Sequence, residues 1–134
     1  MRTKFAVAVV GLALVSLAKP ILAHHSFSAE FDANKPFKMS GTVTKVEWMN
    51  PHTFFYIDVT DEKTKKVTNW AMEMGSPNGL MRAGWDRNVM KIADIVTVEG
   101  SRAKDESNNA NARSVKLAST GKRLFAASSQ GEQP

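Results

Sequence analysis

Strand-like alternation in five separate segments, a single proline-started helix signal between the third and fourth of them, and a length suited to one domain together predict the fold class. It is all-β with one short helix, and the order of elements predicts a five-stranded OB-fold-like barrel. The chain has 134 residues, 43% of them hydrophobic, which is enough for one small core and too little for several. A small antiparallel sandwich or roll with a helical insertion is the alternative architecture.

The first strand pattern opens at Met39. Met39, Gly41 and Val43 share one parity and Val46 and Trp48 the other, so a β-bulge is expected near Thr44-Lys45, bending one long strand. Asn50-Pro51 marks a corner. After it Thr53, Phe55, Ile57 and Val59 alternate with His52, Phe54, Tyr56 and Asp58, the period of a second strand with its first set facing inward. Asp61 to Lys66 is a charged turn, and Val67 to Met74 forms strand three with Trp70, Met72 and Met74 on one face. At strand spacing these methionines read as core filling rather than as soft metal ligands.

Ser76-Pro77 starts a short helix, because the hydroxyl can cap it and proline has no amide donor to lose in the first turn. Leu80, Met81 and Trp85 supply an apolar side. Ile95, Val96 and Val98 begin strand four, Arg102 to Asn111 is a polar loop, and Val115 and Leu117 mark strand five. The expected organisation is a secretory leader over 1–23, an N-terminal arm or short edge strand over 24–38, a β-barrel domain over 39–126, and a flexible tail over 127–134.

The leader reading rests on Arg2 and Lys4, an apolar stretch from Phe5 to Leu17 broken only by Gly11 and Ser16, and Pro20 ahead of Ile21-Leu22-Ala23. This stretch is well short of the roughly 20 residues of a membrane-spanning helix, so no span is expected after the leader is removed. Cleavage after Ala23 is favoured over cleavage after Ala18, since Pro20 would break the leader helix just upstream. The expected location is therefore periplasmic or secreted. Taking away Arg2, Lys4 and Lys19 lowers the net charge from +5 to +2, too faint an excess for nucleic acid, which demands clustered cations.

There is no cysteine, hence no disulfide, thiolate zinc site or cysteine nucleophile. Catalytic motifs are equally scarce. No serine lies in a Gly-x-Ser-x-Gly elbow, no phosphate-binding or dinucleotide glycine pattern occurs, and Glu47, Asp58, Glu73, Asp86, Asp94 and Glu99 are scattered as on a solvated face. A non-enzymatic binding protein is the better expectation.

Ligand potential concentrates in the three histidines, His24, His25 and His52. Cleavage after Ala23 would give His24 a free amine beside its own imidazole. That chelate needs one further imidazole, from His52 or His25, to complete a nitrogen-rich set suited to Cu(II). Copper is thus the one cofactor expected, with solvated terminal histidines and a hydrogen-bonded His52 turn as the plainer alternative. A second candidate surface comprises Phe54 and Tyr56 on the outer face of strand two, with Trp48 and Asn50 at the corner. It would serve a small ligand or an envelope protein, unless Phe27 or Phe31 of the arm covers it.

The strings His24-His25-Ser26-Phe27, Trp48-Met49-Asn50-Pro51-His52, Trp70-Ala71-Met72-Glu73-Met74-Gly75-Ser76-Pro77 and Val96-Thr97-Val98-Glu99-Gly100 resemble, in order, a family of small exported bacterial proteins known only as a domain of unknown function. The likeness runs from His24 to about Phe125. It implies an exported β-barrel, a mature chain opening at His24, and no established activity or catalytic residue.

Overall fold

A computed structural model describes residues 27–127 of the chain. The expected leader and cleavage point, His24, His25 and the expected tail from 128 onward lie outside the described residues. Within them the chain is mostly β, with two short helices: α1 (Phe27–Glu30), β1 (Phe31–Glu47), β2 (Phe54–Thr60), β3 (Val67–Glu73), α2 (Pro77–Arg82), β4 (Ile95–Ala103), β5 (Asn109–Leu117) and β6 (Arg123–Phe125). The strands make one sheet in the order β3-β2-β1-β4-β5-β6. A further β3–β5 pairing closes five of them into a ring. It is parallel, whereas the other pairings are antiparallel.

The expected phase switch in strand one is present: the β1–β2 register shifts between Val43 and Lys45. β1 pairs with β4 from Phe31 to Thr42 and with β2 from Thr42 to Glu47, so one bent strand serves both halves of the ring. The alternation expected in strand two also holds, with Thr53, Phe55 and Ile57 buried and Phe54 and Tyr56 on the other side. Trp70 and Met72 of β3, with Met74 just beyond its end, fill the interior.

Four features differ from the expectation. There are six strands, not five, because Leu124 anchors the three-residue β6 in the core. A second helix, α1, precedes β1. β1 begins at Phe31 rather than Met39, so most of the segment read as an arm or edge strand is its first half. A register shift between Asp32 and Pro36 leaves residues 33–36 exposed and hides the strand period there. Finally, β5 starts at Asn109, inside the expected polar loop. Its Ala110 and Ala112 have low intrinsic strand preference, but their small side chains are fully buried where β5 bridges β4 and β3.

Helix α2 is built as its sequence suggests. Ser76 accepts from the Gly79 amide at 3.2 Å, Pro77 occupies the first turn, and Leu80 points into the core. Met81 is exposed, while Trp85, just beyond the helix, is buried and its indole Nε1 donates to the Phe125 carbonyl at 2.8 Å. Two more bonds fasten the end of the chain: the Gly75 amide donates to Ala126 O at 2.9 Å, and the Ala126 amide to Arg113 O at 2.8 Å.

Gly100 sits at the bulge in β4–β5 pairing, where a Cβ would lie 1.8 Å from Asn111 O. Neither partner can retreat, since both belong to ladder backbone. Gly100→Ala should therefore destabilise the protein by about 3 kcal/mol or more, read as a lower urea midpoint. Unchanged stability would show that the two strands are not held this closely.

Candidate functional site

Trp48 to Thr53 form the corner between β1 and β2, turning at a cis Asn50-Pro51 peptide. Two backbone bonds fasten this corner to the end of β3: Thr53 N–H donates to Gly75 O at 3.0 Å, and Met74 N–H to Thr53 O at 2.8 Å. His52 is thereby set beside Met74. Its Nδ1 lies 3.1 Å from the Met74 carbonyl oxygen and 3.5 Å from Glu73 Oε1. A carbonyl oxygen only accepts, so Nδ1 carries the proton of this bond, and the neutral ring has its lone pair on Nε2. The His52 side chain is 21% exposed and that of Glu73 13%.

Glu73 also lines a cleft of about 440 Å³ with Phe31, Phe54, Glu30, Lys104 and Asp105. The β2–β3 register sets Phe54 opposite Glu73, and the β3–β5 register sets Glu73 opposite Asn111. These three residues thus form a row across one side of the sheet. Asn111 is buried, and its Nδ2 has no hydrogen-bond partner among the described residues. Helix α1 is fixed at the same cleft: Lys104 N–H donates to Glu30 O at 2.9 Å, and Lys104 Nζ to Ser28 O at 2.5 Å. The Phe27 and Phe31 ring centroids lie 5.6 Å apart.

The candidate residues named from sequence separate into groups. His24 and His25 lie outside the described residues, and His52 stands at the corner. Phe54 is half-buried and lines the cleft together with Phe31. Tyr56 is engaged elsewhere: its hydroxyl donates to Glu47 Oε2 at 2.9 Å and Lys45 Nζ lies 5.4 Å from its ring centroid. Trp48 packs against the core with the Arg87 guanidinium 5.9 Å from its ring, and Asn50 is exposed. Among the described residues, no three His, Cys, Asp or Glu side chains gather as a metal site.

Residues 11–112 match a family of unknown function, DUF6152. The chain belongs to that family. The DUF6152 match takes in the corner, Glu73 and every cleft residue, and stops short of β6. No curated protein and no solved structure matches the chain. Among the described residues no helix is long and apolar enough to cross a membrane.

Glu73 is the residue that sequence reasoning passed over. Its parity opposite Trp70 and Met72 suggested a solvated carboxylate, whereas its neighbours across the ladders leave it largely covered. The only local signal was its place three residues before the Ser76 cap, in the segment that meets the corner.

The Lys45–Tyr56–Glu47 cluster braces the corner from β1 and β2. Hydrogen bonds from Lys45, then from Tyr56, hold Glu47 below the usual carboxylate range, and Lys45 is raised by the same pairing. Donation to Glu47, followed by desolvation and the carboxylate's charge, raises the Tyr56 hydroxyl above 10.0. Tyr56 is the only tyrosine in the chain, so ultraviolet titration of phenolate reads it alone. The expected midpoint lies above 10.0, and Glu47→Gln should bring it down. Because the folded value is the raised one, the stabilisation is complete below the unfolded value and is lost as pH climbs through the folded value. A midpoint unmoved by Glu47→Gln would contradict this account.

Proposed function

We propose that the protein is an exported, non-enzymatic binding protein, periplasmic or secreted, that holds one copper-type ion through His24, His25 and His52. The scaffold in this reading is an OB-fold-like barrel. The ring order β1-β2-β3-β5-β4, the helix between β3 and β4, and the bulged first strand support it.

The observation that carries the metal reading is the bond between His52 Nδ1 and the Met74 carbonyl. Histidine ligands commonly donate their second ring nitrogen to a carbonyl or carboxylate, which fixes the tautomer and aims the other nitrogen at the ion. The entry of the chain supports it further. His24 is three residues before Phe27, a reach of about 10 Å in extended chain, and Phe27 packs on Phe31 of the cleft that Glu73 also lines. A terminal amine and two or three imidazoles would form a nitrogen-rich set suited to Cu(II). Phe54, half-buried in the cleft, supports a second reading in which this surface docks a small ligand or an envelope protein.

Native mass spectrometry of the exported protein, titrated with Cu(II), tests the first reading. The expected species starts at His24 and holds one copper. His52→Ala, and separately acetylation of the terminal amine, should each weaken binding by about a hundredfold, ~2.7 kcal/mol. Affinity untouched by both changes would sink the metal site. A partner captured without copper, and lost in a Phe54→Ala, Tyr56→Ala variant, would select the second reading.

A further inference from the structure

We infer that a groove over β1, β4 and β5 binds a small organic phosphate, with the phosphate on Arg113 and Arg123 and the organic part against Phe37. This site is independent of the copper reading, since the groove shares no residue with the corner or with the cleft beside Glu73. Its volume is about 400 Å³, within the range of roughly 300–1,000 Å³ usual for small-molecule sites. Lys38, Arg113, Arg123 and Glu99 line it, so three cations meet one carboxylate.

The sheet builds this grouping. Its registers set Lys38 opposite Glu99 and Glu99 opposite Ser114. Lys38 Nζ lies 3.4 Å from Glu99 Oε1, while Arg123 donates to Glu99 Oε2 and, from Nε at 3.1 Å and Nη2 at 3.0 Å, to Ser114 Oγ. The Arg123 guanidinium is thereby fixed through Nε and Nη2, and its Nη1 has no hydrogen-bond partner among the described residues. Arg113 arrives through the β5 bulge: Gly100 opposes Ala112 and Glu99 opposes Ser114, which leaves Arg113 as the extra residue. Its exposed side chain has no hydrogen-bond or ion-pair partner among the described residues.

Exposed ion pairs contribute little to stability, and crowding like charges opposes the compact state. A bound anion would relieve that repulsion. Glu99 offsets one of the three cations, and the remaining excess matches a phosphate monoester, which carries about −1.5 to −2 charges at pH 7. Guanidinium forks suit phosphate oxygens. The groove has room for more than inorganic phosphate, because Gly100 adds no side chain to it, and its remaining wall is Pro36 and the half-buried ring of Phe37.

Titration of the full chain with phenyl phosphate at constant ionic strength, followed by two-dimensional NMR, tests the site. Saturable shifts centred on the amides of Phe37, Gly100 and Arg113 are expected, a map that needs no variant to fold. Arg113→Gln and Arg123→Gln should each weaken binding about tenfold, while Lys66→Gln, at an exposed cation of the turn between β2 and β3, should leave it unchanged. Inorganic phosphate should bind more weakly, having nothing to place against Phe37. Shifts that do not saturate, or an equal loss in Lys66→Gln, would show general attraction to cations and overturn the site. Equal affinity for inorganic and phenyl phosphate overturns the organic ligand. The same phosphate can be carried by a lipid: retention on vesicles containing phosphatidic acid, lost in Arg113→Gln, assigns the site to a membrane surface, and binding of phenyl phosphate without such retention assigns it to a soluble ester.

Discussion

The three-residue parallel ladder between β3 and β5 is the constraint on which the rest of the structure depends. Ala71, Met72 and Glu73 pair with Asn109, Ala110 and Asn111, and this converts an open sheet into a ring. The Ala71 amide extends the junction by donating to Asn108 O at 3.0 Å. Closure satisfies backbone groups that an open edge would present to other chains. It also decides the sidedness of everything nearby: Met72 and Ala110 go to the interior, and Glu73 and Asn111 go to the other face. A bulky residue in place of Ala110 would oppose the approach of β5, which explains why such a poor strand former occupies a central position.

Where the chain's own period decided the outcome, the fold was legible in the sequence. The parity change after Val43 located the bulge in β1, the alternation from Thr53 to Val59 assigned the inner face of β2, and Ser76-Pro77 located α2. Where a distant partner decided it, the sequence was silent. Residues 33–36 are polar and exposed, and only pairing with β4 on either side makes them part of a strand. Asn109 to Asn111 resemble a loop until β3 and β4 lie on both sides of them. Glu73 failed for the same reason, since its neighbours come from β2 and β5, far away in the chain.

The corner before β2 shows how a rigid support is made without a disulfide. Backbone bonds between Thr53, Met74 and Gly75 hold its downstream side, and the Lys45–Tyr56–Glu47 cluster holds its upstream side. His52 lies between these two braces. Its ring is therefore oriented by covalent neighbours that cannot move far, in addition to the acceptors facing Nδ1. The histidine itself was visible from composition, but its orientation was not, because the Met74 carbonyl that faces it lies just past the end of β3.

The bonds at the end of the chain have a consequence for its biosynthesis. The Gly75 amide, the Ala126 amide and the Trp85 indole all find partners only when the segment around Phe125 and Ala126 is in place, and Leu124 is itself part of the core. A nascent chain that has not yet emitted its last dozen or so residues has its core open on this side. Ring closure cannot precede the synthesis of β5, nor can Trp85 be sealed before β6 arrives. The core around Trp85 is thus completed by the segment around Phe125 and Ala126, the last part of the described chain to be synthesised.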